Sequence, residues 1–277
     1  MDTVARSAGV SKATVSYVLS GKRRISDAVS RRVWNAVEEL GYRPHSAARS
    51  LASKKTQTIG LFCSPTETLR EDPYFNQLLS GILDALVLRG YQLSLFPETG
   101  GESVSYEQPP ATAHAVDGAL VMNPRVDSRG LDGLRSSGMP LVVIGTPTGS
   151  EFFSVDHDQA ALIYRSATYL IERGHSRILF VNGPPEYVGS GQRDEGFELA
   201  LREYGLEPDP ALMKHGKITL EDGERICSQA IDDGLEFTAV LTMNDIVAVG
   251  AIRSLRRAGR VCPNDVAVVG SGDTIVA

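Results

Sequence analysis

The chain has 277 residues, 42% of them hydrophobic and 22% charged, with a net charge of −6. That length favours two or three folded units. No apolar run approaches the ~18 residues of a membrane span, and a helix-like start in place of a basic-then-apolar leader argues against secretion.

The charge is segregated. Residues 1–57 hold 11 Lys/Arg against 4 Asp/Glu, a balance of +7, and the remainder holds 17 against 30, a balance of −13. A basic head on an acidic body is the pattern of a polyanion-binding module joined to something that does not bind polyanions. Three widely spaced cysteines, Cys63, Cys227 and Cys262, form no CxxC pair and fit buried thiols in a reducing cytoplasm.

Residues 3–21 read as helix, tight turn and helix. Val4, Ala5 and Ala8 share one face, and Gly9 supplies the turn. Ser11 is an N-cap ahead of the apolar stripe Val15, Val18 and Leu19, and Gly21 is the stop. The outward face of the second helix carries Lys12, Ala13, Ser16 and Tyr17, small or polar residues suited to a major groove. A bare surface hairpin is the alternative. A third helix is expected from the cap Ser26 to about Leu40, with the stripe Val29, Val33, Ala36, Val37 and Leu40, ended by Gly41 and Pro44. The next piece, Ser46 to Lys55, is basic, helix-permissive and too short to be stable alone. Leu51 is its only large apolar residue, and the plain reading is a linker.

From Thr58 onward, short apolar strands alternate with helical stretches. Expected strands are Ile59–Cys63, Gln92–Phe96, Ala119–Met122, Leu141–Ile144, Ile178–Val181, Ala239–Thr242 and Val266–Gly270. Expected helices include Tyr74–Arg89, Gln159–Arg173, Glu195–Tyr204, Glu221–Asp233 and Asp245–Ala258. This alternation implies parallel α/β sheets covered on both faces, broken into two units near Glu151–Asp156. Gly100, Gly101, Pro109 and Pro110 argue for a loop between Pro97 and Val116.

The strings Gly9-Val10-Ser11-Lys12-Ala13-Thr14-Val15-Ser16, Glu39-Leu40-Gly41-Tyr42-Arg43-Pro44 and Ala48-Arg49-Ser50-Leu51 resemble the lactose-repressor (LacI/GalR) family of bacterial transcriptional regulators. Asp72-Pro73-Tyr74-Phe75, Val116-Asp117-Gly118, Arg193 with Gly196-Phe197, and Asn244-Asp245 extend the resemblance over essentially the whole chain. It implies a helix-turn-helix DNA-binding domain (1–45), a hinge helix and linker (46–57), and a two-lobed body similar to periplasmic binding proteins. The lobes would be 58–155 and 156–277. Family members continue beyond the position of Ala277, so the second lobe is expected to be incomplete.

The resemblance also implies roles for residues. Lys12, Ala13 and Tyr17 would read bases, with Thr14 and Ser16 nearer to phosphates and Ser11 also at the DNA. Tyr17 departs from the arginine often found there, and its rival role is packing against the third helix. Ala47 and Ala48 would let two hinge helices approach, and Leu51 would wedge into a base step from the minor groove. In the body, Arg193 would clamp ligand hydroxyls or carboxylates. Asp245 and Asp273 follow strands, where open α/β sheets bind ligands. Asp245 is otherwise a helix N-terminal carboxylate, and Phe75 is either a stacking face or core.

No P-loop, HExxH or GxGxxG after a first strand is present, and the five histidines form no ligand spacing. No enzyme activity, metal or cofactor is expected. The expected function is a dimeric cytoplasmic repressor of a pseudopalindromic operator, gated by a small effector: a sugar or sugar derivative first, a nucleobase second. A regulator gated by a protein partner is the alternative.

Overall fold

The computed structural model describes residues 1–20, 23–42, 55–63, 72–97, 116–126, 129–147, 149 and 151–277. The expected stops at Gly21 and Pro44, the hinge residues Ala47, Ala48 and Leu51, and the loop through Gly100 to Pro110 lie outside the described residues. The chain divides into two compact units, Met1–Thr56 and Gln57–Ala277.

The first unit contains α1 (Asp2–Ala8), α2 (Lys12–Ser20) and α3 (Asp27–Glu39). Val4, Ala5 and Ala8 of α1, Val15 of α2, and Val33 and Ala36 of α3 form its core. Gly9 turns the chain at φ 63°, a left-handed conformation that costs a side-chain-bearing residue. Ser11 caps α2, its Oγ accepting the Thr14 N–H at 3.1 Å. Ser26 differs from expectation: it holds the extended N-cap conformation, but its side chain makes no capping bond. Its carbonyl takes the Val29 and Ser30 N–H groups. Leu40 also departs from the expected stripe. Helix α3 ends at Glu39, and Leu40 lies in the turn with 45% of its surface exposed.

The second unit is built on two parallel sheets. The first has the strand order β2-β1-β3-β4-β5, from β1 (Thr58–Cys63), β2 (Gln92–Pro97), β3 (Gly118–Met122), β4 (Leu141–Ile144) and β5 (Phe153–Val155). The second has the order β7-β6-β8-β9, from β6 (Ile178–Asn182), β7 (Met213–His215), β8 (Ala239–Thr242) and β9 (Ala267–Val269). The helices are α4 (Pro73–Val87), α5 (Arg129–Ser136), α6 (Gln159–Ile171), α7 (Val188–Glu203), α8 (Leu220–Asp232) and α9 (Asp245–Arg257).

Side chains alternate across each sheet, so one strand feeds two cores. Along β6, Leu179 and Val181 pack with Cys227, Val247 and Leu255 of α8 and α9. Ile178 and Phe180 face the other way, against Ile163 and Ala167 of α6 and Phe197 of α7. In the first sheet, Phe62 and Val121 pack with Leu131 and Leu134 of α5. Leu61, Cys63 and Met122 pack on the α4 side. Being buried on both faces explains why these strands read as short apolar runs rather than as alternating patterns.

Two helix pairs approach unusually closely. A Cβ on Gly196 of α7 would strike the Ala160 carbonyl of α6, and one on Gly250 of α9 would strike the Leu220 carbonyl of α8.

Candidate functional site

In the first unit, Lys12, Ala13, Ser16 and Tyr17 of α2 lie exposed together on one helical face, beside exposed Ser11 and half-buried Thr14. The Ser11 and Thr14 hydroxyls are 2.9 Å apart, so both are tied to the start of the helix. Lys12 reaches back across the turn to Asp2, with Nζ 3.0 Å from Oδ2, and the hydrogen bond it donates, assisted by its charge, holds the Asp2 carboxyl below the usual range. Tyr17 stands at the surface with 37% of its area exposed and the Arg23 guanidinium 5.8 Å from its ring centre.

In the second unit, the segments that follow β3, β4, β5, β8 and β9 meet at one cavity region, at the carboxyl ends of parallel strands where such sheets bind ligands. A cavity of about 380 Å³ opens there. Its walls come from the start of α4 (Asp72, Tyr74, Gln77), the turns after β3 and β4 (Asn123, Gly145), Arg193 of α7, and the segments after β8 and β9 (Asn244, Asp245, Thr274).

Arg193 is held rather than free. Its Nε donates to Gln159 Oε1 at 2.8 Å and its Nη1 to Asn182 Oδ1 at 3.0 Å. Burial pulls its pKa down to about 10, opposed by Asp194 and Asp156, so it remains a cation at neutral pH. Asn182, at the end of β6, is fully used. Its Nδ2 donates to Asp194 Oδ1 and to the Ser190 carbonyl, while Oδ1 accepts Arg193 and the Gly183 N–H. Such a network fixes the guanidinium plane before any ligand arrives.

Two carboxylates, Asp72 and Asp245, are buried in the cavity wall. Asp72 caps α4, accepting the Tyr74 N–H at 3.0 Å, and its burial raises its pKa against the effect of those backbone bonds. Burial also raises the Tyr74 hydroxyl, assisted by Asp156 and Asp72. Asp245 is 6% exposed, and Asn244 rather than Asp245 is the N-cap of α9. The Asp245 carboxylate instead accepts the Thr274 N–H and hydroxyl. The two sheets are joined beside the cavity. Thr146 Oγ1, following β4, lies 2.8 Å from Gln192 Oε1 of α7, and the Val126 N–H donates to the Glu186 carbonyl at 2.8 Å.

Of the four body residues singled out in the sequence, Arg193 and Asp245 line this cavity, and Phe75 and Asp273 do not. Phe75 is 5% exposed and packs with Leu61, Cys63 and Met122. Successive helical residues diverge by about 100°, so the α4 turn that places Tyr74 at the cavity sends Phe75 to the sheet. Asp273 occupies a left-handed turn at φ 48° and is exposed, while its neighbour Thr274 is buried against Asp245. Tyr74, Gln77, Asn123 and Gln159 were missed. Asp72-Pro73 was the available signal, an N-cap followed by proline that fixes where α4 starts.

A three-helix unit with an exposed reading face, together with a two-sheet body around a polar cavity, defines the class: a DNA-binding regulator carrying a ligand-binding body. The model for "Bacterial regulatory proteins, lacI family" matches residues 1–45, and that for "Periplasmic binding proteins and sugar binding domain of LacI family" matches residues 56–271. The chain belongs to the LacI family of bacterial transcriptional regulators, a family of regulators rather than enzymes. It is 34% identical over 283 residues to the HTH-type transcriptional regulator CelR of Thermobifida fusca, across 100% of this chain and 83% of that one. The solved complex of a CelR with cellobiose superposes with a TM-score of 0.73 at 32% identity, covering 100% of this chain and 83% of that one. The Lac repressor dimer bound to operator and the anti-inducer ONPF superposes at 0.83 with 25% identity, covering 98% and 82%. Among the described residues, no helix is long and apolar enough to cross a membrane.

Proposed function

We propose that the chain is a sugar-responsive repressor, acting in the cytoplasm as a homodimer on a pseudopalindromic operator. The observation that carries the effector reading is the cavity of about 380 Å³ with a pre-oriented Arg193 at its base and Tyr74, Gln77, Asn123 and Asn244 around it. Such a set offers hydrogen bonds to hydroxyls and an aromatic face, which is the chemistry of a polyhydroxylated ring. A relative that forms a complex with cellobiose favours a sugar over a nucleobase.

On the DNA side, Lys12, Ala13 and Tyr17 meet base edges, and Ser11, Thr14 and Ser16 lie by the backbone. Residues 46–57 act as the hinge, with Ala47 and Ala48 allowing close approach and Leu51 as the wedge. Two copies of the chain read two half-sites, a reading supported by the likeness to the Lac repressor dimer bound to operator. Effector and operator are coupled because the effector binds one arrangement of the body better than another.

The test is thermal unfolding against cellobiose, other disaccharides, monosaccharides, sugar phosphates and nucleobases. A ligand at a hundred times its dissociation constant adds about 2.7 kcal/mol of stability. A shift with a sugar and none with its phosphate supports the reading, and a shift with nucleobases alone overturns it. Silence across the panel favours a body gated by a protein partner. Leu51→Ala is expected to weaken operator binding far more than binding to random duplex, and equal losses would remove the wedge from the account.

A further inference from the structure

His215 stands at the end of β7, the edge strand of the second sheet, paired in register with Asn182 of β6. It belongs to none of the cavity walls. Both ring nitrogens nonetheless face acceptors: Nδ1 lies 2.8 Å from the Gly183 carbonyl oxygen and Nε2 3.3 Å from Asp194 Oδ2. A neutral imidazole has one N–H, so it satisfies one of these oxygens and turns a lone pair on the other. Only the imidazolium donates to both.

Asp194 is the next link. Its other oxygen accepts Asn182 Nδ2 at 2.8 Å, and Asn182 Oδ1 takes Arg193 Nη1 at 3.0 Å. The series His215, Asp194, Asn182, Arg193 therefore runs from the sheet edge to the cavity floor. Side-chain exposures of 30% for His215 and 25% for Asp194 leave the pair open to protons from solvent.

We propose that His215 is a positioning residue for the effector site, its imidazolium holding Asp194 and, through Asn182, the Arg193 guanidinium, so that effector affinity depends on pH. The inference rests on the cavity being the effector site. When the ring loses its proton, Asp194 is left without its cation, within the electrostatic reach of the Arg193 guanidinium with which it shares Asn182. The Arg193 charge is then drawn toward Asp194 and away from the cavity.

The direction of the pH effect follows from the surroundings. The hydrogen bond that the His215 Nε2–H donates to Asp194 raises the His215 pKa, assisted by the Gly183 carbonyl and opposed by burial and by Arg193. Lys214 and Lys217 flank the histidine on the chain. Asp222 of α8 is already taken by the Lys217 N–H and by Arg225. Being raised on folding, the histidine contributes fully below the ordinary imidazole range, and its contribution is lost as pH rises through the folded value.

The experiment is a pH titration of side-chain 1H–15N signals in the ligand-free full chain, followed by the affinity for cellobiose, or for the sugar found to bind, at pH 6 and pH 8.5. The Arg193 Nε–H signal is expected to move with the same midpoint as the His215 ring, and affinity to fall about three- to tenfold across that range. In His215→Gln both dependences disappear. Asp194→Asn, which keeps the shape of the link, lowers the His215 midpoint and uncouples it from Arg193. An Arg193 signal that ignores the His215 titration, or one that titrates equally in His215→Gln, overturns the proposal. The signals are read without ligand, so failure of the sugar panel strikes the sugar reading and leaves this test decisive.

Discussion

Thr274 gives both its backbone N–H and its hydroxyl to a single oxygen of Asp245, each at 2.8 Å, while the Asp245 N–H donates to the Ser271 carbonyl at 3.1 Å. The segment after β9 is thereby fastened over the start of α9 at the cavity wall. Asp245→Ala leaves two buried donors without an acceptor, and the body should lose about 3 kcal/mol in urea unfolding. Asp245→Asn keeps one acceptor oxygen and should lose about half as much. Loss of sugar binding with unchanged stability would assign Asp245 to the ligand alone.

The alternation of strands and helices was legible because each element carries enough apolar residues to show its period. What escaped was short or glycine-rich. β5 and β7 have three residues each and, unlike the equally short β9 within the run Val266–Val269, carry no continuous apolar run to mark them. Helix α7 was expected from Glu195 and begins at Val188, because Gly189 and Gly191 lower its intrinsic propensity and tertiary packing overrides that. Arg193 thus sits on a rigid helix rather than after a loop. That rigidity lets Asn182 and Gln159 hold it.

The neighbours Tyr74 and Phe75 should separate function from folding. Phe75→Ala empties a buried site among Leu61, Cys63 and Met122 and should cost about 3–5 kcal/mol of stability. Tyr74→Ala, on a residue 40% exposed at the cavity, should leave unfolding nearly unchanged and weaken sugar binding about tenfold. Isothermal titration and urea unfolding on both variants check the pair. The reverse assignment would restore the stacking role that the sequence left open for Phe75.

Asp72 offers a pH test. Its carboxyl is raised by burial, so the folded body disfavours the charged form. An acid raised on folding weakens the fold at pH values above its folded pKa, and this penalty is relieved as pH falls through that value. Asn is as good an N-cap as Asp, so Asp72→Asn should keep the cap on α4. Its body should be at least as stable as the wild type at pH 7, with the difference closing in acid. If affinity for the sugar falls in the same variant, the charge is retained for binding at a cost in stability.

The site itself was only half legible. Arg193 and Asp245, which line the cavity, each sit in a distinctive string, but a string does not report which way a side chain points. Helical phase decided against Phe75, and the left-handed turn at Asp273 handed the buried position to Thr274. Asn182 and Gln159 carry no sequence signal at all. Their roles exist only because β6 and α6 bring two amides onto one guanidinium.

Lys12 is occupied by Asp2 before it meets DNA. The pair is well exposed, at 60% and 70% for the two side chains, so it adds little to the stability of the first unit. On the proposed reading of α2 its consequence falls on binding, because a Lys12 that reads a base would have to leave Asp2, which would then present an uncompensated negative charge beside a polyanion. Asp2→Asn should therefore tighten operator binding by about two- to threefold near 0.1 M salt, an advantage that shrinks as salt screens the charge. Lys12→Ala should weaken binding to the preferred operator about tenfold and relax discrimination at one base step. Fluorescence anisotropy on an operator recovered from random duplexes, repeated across a salt series, checks both. An Asp2→Asn variant that binds no better than the wild type at low salt would mean that the lysine takes a phosphate or base without first giving up the carboxylate.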